Sequence, residues 1–331
     1  MADHRLDVLA IGNAIVDVIA NVDDPFLERE GLTKGSMRLI DAEEAERLYA
    51  QMPSPKQVSG GSAGNTAAGV AALGGRAGFI GQVADDQLGE FYIRDLRSTG
   101  VQFDTAPADF GVPTARSMVL VTPDGNRTMN TFLGAAQHLP AGALNEEQIA
   151  ASAVLYLEGY LWDPEAPRYA MVRAIEVARQ AGRRVAFTLS DTFCIDRHRN
   201  GFNELIDSGR IDILFANEAE IQALAAVPHL ESAIAAVKDK VEVLVVTRSK
   251  HGALATRGSD RADVPAEIIV QLVDTTGAGD LFAAGFLAGE VRGLPLDQSL
   301  KLGAIAAAEV IQHYGARPEA DLQELAASSL N

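Results

Sequence analysis

Cysteine is nearly missing: Cys194 stands alone among 331 residues. An intrachain disulfide is thereby excluded, and a cysteine-rich metal site has nothing to build on. Basic side chains are short as well, 28 Lys and Arg against 45 Asp and Glu, for a formal net charge of -17. Nucleic acid and anionic membranes recruit proteins through positive charge, so the sign argues against both as partners. Any phosphate ligand must then be met by local groups rather than by the field of the whole molecule. No stretch reaches the ~18 uncharged apolar residues of a membrane span. The opening residues, MADHRLDVLAIGNAIVDVIANVDD, interrupt their apolar patch with acids and show no basic region followed by a small-residue cleavage site. A reducing, cytoplasmic setting is expected. Aromatics are few at 6%, while apolar residues make up 47%, enough for one large globular domain or two unequal ones.

Short apolar runs, LDVLAIG, AVLYLEG, RRVAFTLS, DILFANE and VEVLVVTR, are separated by segments of helix length. In APRYAMVRAIEVARQAGR, Met171, Ile175 and Ala178 recur at helical spacing. Strand and helix alternating in this way predict an α/β fold, a doubly wound, mostly parallel sheet flanked by helices. Two regions break the alternation. SMVLVT and RTMNTF flank the pair Asp124-Gly125, a strong hairpin signal, and AIVDVIANV with GSMRLID supplies further strand-like pieces. The expected division is an α/β body over residues 1-12, 41-100 and 133-331, with a small β-sheet lid over 13-40 and 101-132. The C-terminal EADLQELAASSLN is expected to fray.

The stretch DTTGAGD, residues 274 to 280, follows EIIVQLV, which reads as a strand ending at Val273, and precedes a helix-like LFAAGFLAGEVRG. Gly277, Ala278 and Gly279 thus fall at a helix N-terminus, where unpaired N–H groups and the macrodipole favour an anion. Asp280 beside them can take a proton while negative charge develops next door; the plainer role is helix capping. In SGGSAGN, Gly60, Gly61 and Gly64 allow close backbone approach, and Asn65 offers donor and acceptor. Gly60 to Gly64 also match the G-x-S-x-G elbow of serine hydrolases, with Ser62, Asp280 and His313 in the required order, although PSPKQVSG before it makes a poor buried strand. No Gly-Lys pair exists for a P-loop, and no G-x-G-x-x-G follows the first strand.

Asn13 and Asp17 in GNAIVD lie beyond the first strand's carboxyl end, where ligands of open α/β sheets bind, and suit vicinal hydroxyls. Asn217 and Glu220 in FANEAEIQAL lie one helical turn apart, spaced for the water shell of Mg²⁺ or equally for a capping box. Arg127 at the hairpin can neutralise phosphate if the hairpin closes over the cleft. Tyr160 and Trp162 can line a pocket for a flat ligand, core packing being their commoner fate. The histidines show no metal-ligand spacing.

Taken in order, GGSAGN, NEAE and DTTGAGD resemble the signatures of the ribokinase-like (PfkB) family of sugar and nucleoside kinases, over nearly the whole chain. The resemblance implies a doubly wound body with a β-sheet lid, ATP and Mg²⁺ as cofactors, and transfer of the γ-phosphoryl group to an alcohol. It implies Asp280 as base, the backbone of Gly277, Ala278 and Gly279 as anion hole, and Asn217 and Glu220 as organisers of Mg²⁺ through water. Asp274 would order the loop. VVTRSKHGA looks like the family's nucleotide-contacting strand end, bringing in Thr247, Ser249 and Gly252, with Ser249 where many members have glycine. LGAIAAAEVI is similar to the segment lining the adenine pocket, through Gly303, Ala304 and Ala307. GNAIVD and DGNRTMNTFLGAA resemble the nucleoside-kinase branch, in which Asn13, Asp17, Gly61 and Asn65 would hold a ribose, Arg127 would face phosphate, and Met129 and Leu133 would touch the base. The implied acceptor is the 5'-hydroxyl of adenosine, giving AMP. A ribose or fructose kinase is the alternative; a non-catalytic ligand-binding regulator and the hydrolase stand further off. A monovalent cation such as K⁺ beside the anion hole, and either a monomer or a lid-mediated homodimer, fit the resemblance.

Overall fold

Along the strand Leu6–Ile11 the side chains serve two cores, Val8 and Ala10 entering one and Leu9 and Ile11 the other. A strand covered on both faces needs apolar residues at successive positions, so it reads as a run and not as an alternation. Ser152–Glu158, Arg184–Thr188, Ile213–Asn217 and Val243–Thr247 follow the same logic and line up beside it in parallel, within a nine-stranded sheet. The computed structural model describes residues 6–330; residues 1 to 5 of the first body segment, and Asn331, lie outside the described residues.

Beyond the first strand, Ala77–Ile80 and Gln102–Phe103 continue the sheet in parallel, while Ala253–Arg257 and Asp260–Val264 close the opposite edge as an antiparallel hairpin. Leu6–Ile11 therefore lies between Ala77–Ile80 on one side and Ser152–Glu158 on the other. Strand order reverses there, and the carboxyl ends of the strands flanking such a reversal leave a crevice. Helices cover both faces. Glu165–Gln180 buries Met171, Ala174, Ile175 and Ala178 against one, the i, i+3, i+4, i+7 stripe of a surface helix. On the other face, Ser62–Ala72 meets Ala278–Val291 through small residues: a Cβ on Gly69 would lie 2.7 Å from Leu281 and Ala284.

A second, five-stranded sheet runs Met37–Leu39, Arg127–Phe132, Ala115–Val121, Ile15–Asn21, Lys56–Ser59. Its hairpin turns at Gly125, φ +80°, as Asp-Gly requires. The boundaries drawn from sequence need two corrections. Lys56–Ser59, placed in the body segment 41-100, pairs antiparallel with Ile15–Asn21 and forms an outer strand of this second sheet; edge position explains its polar, short sequence. Gln102–Phe103, placed in the lid segment 101-132, pairs with Ala77–Ile80 in the body sheet.

EIIVQLV is not a strand. Pro265 ends the edge strand Asp260–Val264, proline having no N–H to give a ladder, and residues 265 to 275 run on without regular structure, Ile268 and Val270 almost fully exposed (99% and 98%). The C-terminus does not fray either: helix Leu322–Leu330 buries Leu322 and Ala326 with Leu73, Leu281 and Leu302. Among the described residues no helix is long and apolar enough to cross a membrane.

Candidate active site

Helix Ala278–Val291 opens on Gly277 at φ +78°. A side chain there would be strained, and its Cβ would lie 2.5 Å from that of Ala316, so glycine is required. Ala278 turns its N–H back to Thr275 O at 3.2 Å, whereas the N–H groups of Gly277 and Gly279 find no acceptor among the described residues. Both residues line a cleft, so the helix end offers free donors to an anion. The sequence placed three N–H groups in this hole; the turn withdraws Ala278 from it. Asp274, at the front of the motif, faces the loop. Its carboxylate accepts the N–H groups of Thr276 (3.0 Å) and Gly315 (2.9 Å) and pairs with Arg127 Nη2 at 2.6 Å.

The first cleft, about 710 Å³, is polar at its floor. Asp280 Oδ1 accepts from Ser62 Oγ at 2.7 Å and Oδ2 from Asn65 Nδ2 at 2.9 Å. Burial raises its pKa above the usual carboxylate range, and those two hydrogen bonds, with the Arg317 charge, pull it back. Asp17 faces the same space, pushed up to about 6 by burial against the opposing pull of Arg317 and Arg127. Gly61 sits at φ +84°, where a Cβ would be 2.0 Å from Asn13 O. Asn13, Asp17, Gly61 and Asn65 all line this cleft, as do Met129 and Leu133 from the lid.

Sequence reasoning missed Glu158. Fully buried at the carboxyl end of its strand, it accepts from Asn13 N and Nδ2, both at 2.7 Å, and from Ala63 N at 2.8 Å, and burial pushes it up to about 7. The available signal was an acid closing an otherwise apolar buried strand. Met37, Leu39, Tyr160 and Phe193 add apolar surface to the cleft. Trp162 does not line it: it packs edge-on against Phe187 and Phe202 in the core.

A second cleft, about 860 Å³, lies across the nest and shares Asn217, Thr247, Thr275, Gly279 and Phe282 with the first. Thr247, Ser249, Gly252, Ala278, Ala304 and Ala307 line it. Gly303 does not: it lets helix Leu296–Val310 approach Ala278–Val291, a Cβ there falling 2.8 Å from Phe282 O. Ser249 adopts φ +51°, the left-handed backbone that glycine takes without strain. Ser249→Gly is expected to raise the melting temperature, by the equivalent of about 0.5–1 kcal/mol, through relief of that conformation. A thermal melt checks it, and an unchanged or lower midpoint refutes it.

Asn217 and Glu220 form a capping box. Asn217 Oδ1 accepts from Glu220 N at 2.9 Å, and the Glu220 carboxylate takes Asn217 N at 2.9 Å and Nδ2 at 2.5 Å. Burial pushes Glu220 up to about 7. Both of its oxygens are engaged, and among the described residues no group of three His, Cys, Asp or Glu could hold a metal ion. These residues fit a magnesium ion carried by phosphates and met through water, not a protein cage. Arg127, expected to face phosphate, lines neither cleft and reaches the nest loop: besides Asp274 it donates to Thr276 Oγ1 at 3.1 Å and lies 5.7 Å above the Tyr314 ring. The buried Asp274 carboxylate is the counter-charge it finds. The hydrolase arrangement does not assemble, because Ser62 gives its hydrogen bond to Asp280 and His313 Nε2 meets Glu309 at 3.1 Å.

Among solved structures, adenosine kinase from Sinorhizobium meliloti is 49% identical, with a TM-score of 0.90 over 98% of this chain and 99% of that one. A probable sugar kinase from Rhizobium etli CFN 42 is 47% identical, with a TM-score of 0.91 over 98% and 99%. Adenosine kinase from Saccharomyces cerevisiae is 28% identical over 93% of this chain and 95% of its own length. The model for the pfkB family of carbohydrate kinases matches residues 6–322. That span takes in both sheets, both clefts and the nest between them, and on it the chain belongs to the pfkB carbohydrate kinase family, phosphotransferases with an alcohol acceptor.

Proposed function

We propose that the protein transfers the γ-phosphoryl group of ATP to the 5'-hydroxyl of adenosine, giving ADP and AMP. The observation that carries this reading is the mixed lining of the first cleft. Asp17, Asn65 and Asp280 are among its polar residues, and Met37, Leu39, Met129, Leu133 and Phe193 supply apolar surface. A ribose matches the former and a flat base the latter, whereas a free sugar would leave the apolar wall uncovered. The names of the S. meliloti and S. cerevisiae relatives support the same acceptor.

The roles follow from placement. Asp280, held by Ser62 and Asn65, takes the proton of the attacking hydroxyl. The free N–H groups of Gly277 and Gly279 meet the phosphoryl oxygens as charge builds on them. Nucleotide occupies the second cleft, against Ala304 and Ala307. Magnesium bound to the phosphates would neutralise their charge, with Asn217 and Glu220 ordering its water. No step in this reading needs a monovalent cation.

A sugar kinase is the second reading, favoured by the name of the R. etli relative and by Asp17, Asn65 and Asp280, which suit sugar hydroxyls equally. ADP release measured with ATP and a panel of adenosine, inosine, ribose and fructose decides. Adenosine is expected to turn over with the highest kcat/KM; turnover of ribose or fructose with none of adenosine overturns the proposal.

A further inference from the structure

The residue that follows the nest's packing partner has no part in the roles just assigned. After helix Leu296–Val310 the chain passes Gly315, whose N–H meets Asp274, and Ala316, against which Gly277 packs. Arg317 then turns under the acceptor cleft. Its guanidinium donates to Ser59 O and, at 3.1 Å, to Ser59 Oγ through Nη2, and to Gly64 O at 3.2 Å through Nη1. Its fork thereby spans both ends of the Gly60–Asn65 turn. Helix Gln87–Ser98 supports the same turn: Asp95 Oδ2 accepts from Ser59 N at 2.8 Å, and Tyr92 donates to Gly60 O at 3.1 Å. With the carbonyls of Ser59, Gly60 and Gly64 held from beneath, Gly61, Ser62 and Asn65 are left to face the acceptor.

We propose that Arg317 is a positioning residue of the phosphoryl-acceptor site: it clamps the Gly60–Asn65 turn and sets a fixed positive charge beneath the Asp17 and Asp280 carboxylates. A guanidinium keeps its charge, and its planar fork suits two divergent carbonyls. The charged and titratable groups facing it are Asp17 from the lid strand, Asp280 from the nest helix, and Tyr92 and Asp95 from helix Gln87–Ser98. Asp17 also feels Arg127, Asp274 and Asp280; Asp280 has Ser62 and Asn65 as hydrogen-bond donors, and Glu158, Tyr156 and Tyr160 stand within its field. In both carboxylates Arg317 works against the upward push of burial. Its removal therefore favours their protonated forms.

The inference rests on the reading that Asp17 and Asp280 face the acceptor, but not on which alcohol is the acceptor. Arg317→Gln keeps donors for the two carbonyls and loses the charge; Arg317→Lys keeps the charge and loses the fork. The pH profile of kcat/KM is measured for whichever alcohol in the panel turns over. In Arg317→Gln the acid limb is expected to move up by about one pH unit, and the KM for the alcohol to rise about tenfold against less than about twofold for ATP. In Arg317→Lys the limb is expected to stay where the wild type has it. An unmoved limb in Arg317→Gln, or an equal displacement in both variants, overturns the proposal. So does a KM for ATP that rises as much as that for the alcohol. Should Arg317→Gln fail to fold by thermal melt, Arg317→Met takes its place: a limb displaced upward supports the proposal, an unmoved one overturns it. Loss of the underlying reading would show separately, as normal turnover in a variant lacking the Asp280 carboxylate.

Discussion

Asp280→Asn is expected to lower kcat by about two orders of magnitude or more while leaving the KM for ATP nearly unchanged. The substitution preserves size, and Ser62 can reverse its hydroxyl to meet an amide. The free N–H groups of Gly277 and Gly279 belong to the backbone and survive, as does the second cleft, whose lining does not include Asp280. What disappears is the carboxylate proposed to accept the hydroxyl proton. The wild type should also lose activity as pH falls through the raised pKa of Asp280, because the protonated carboxyl cannot act as base; the variant should lack that dependence. Steady-state ADP release across pH measures both. Turnover within about tenfold of wild type would remove Asp280 as the base.

Gly61→Ala should damage both stability and acceptor binding. At φ +84° and ψ 137°, outside the left-handed helical region, an L-residue costs of order 1–3 kcal/mol, and the new methyl would lie 2.0 Å from Asn13 O. That oxygen cannot easily retreat, since Glu158 holds Asn13 through both its N–H and its side-chain amide. Strain and overpacking together should cost about 3 kcal/mol, a fall of roughly 4 °C in melting temperature. The KM for the alcohol should rise by about tenfold or more, as a displacement of this size at the binding surface implies. Thermal melts and steady-state kinetics test the pair of effects; a variant that melts and binds as wild type shows that the approach is looser than described.

The body sheet was legible because its strands are covered on both faces and so read as unbroken apolar runs. Helix Glu165–Gln180 was legible from its stripe, and the nest from glycine between a strand-like stretch and a small-residue helix. The misreadings share a physical origin. EIIVQLV has the composition of a strand, but the sheet edge it would join is already taken by Asp260–Val264. Lys56–Ser59 looked unlike a buried strand because it is an edge strand of the other sheet. Arg317 carried no local signature, and for Glu158 the one local cue, an acid closing an apolar strand, did not say what it meets. Glu158 meets Asn13 from 145 residues away and Arg317 meets Ser59 from 258 residues away, and no window of sequence brings such partners together. Ser249 was visible as a departure from the family's glycine, and only the backbone shows that it keeps glycine's conformation.

Three of the second sheet's connections to the body border the first cleft. Strand Ile15–Asn21 leaves the body immediately after Asn13, strand Lys56–Ser59 returns immediately before Gly60 and Gly61, and Arg127–Phe132 returns at Leu133. Asn13, Gly61 and Leu133 all line the first cleft, so three of the crossings between the two sheets lie in its wall. On the proposed reading, a tilt of the second sheet would turn the peptide planes that hold the alcohol, and sheet angle and acceptor grip are coupled through these crossings.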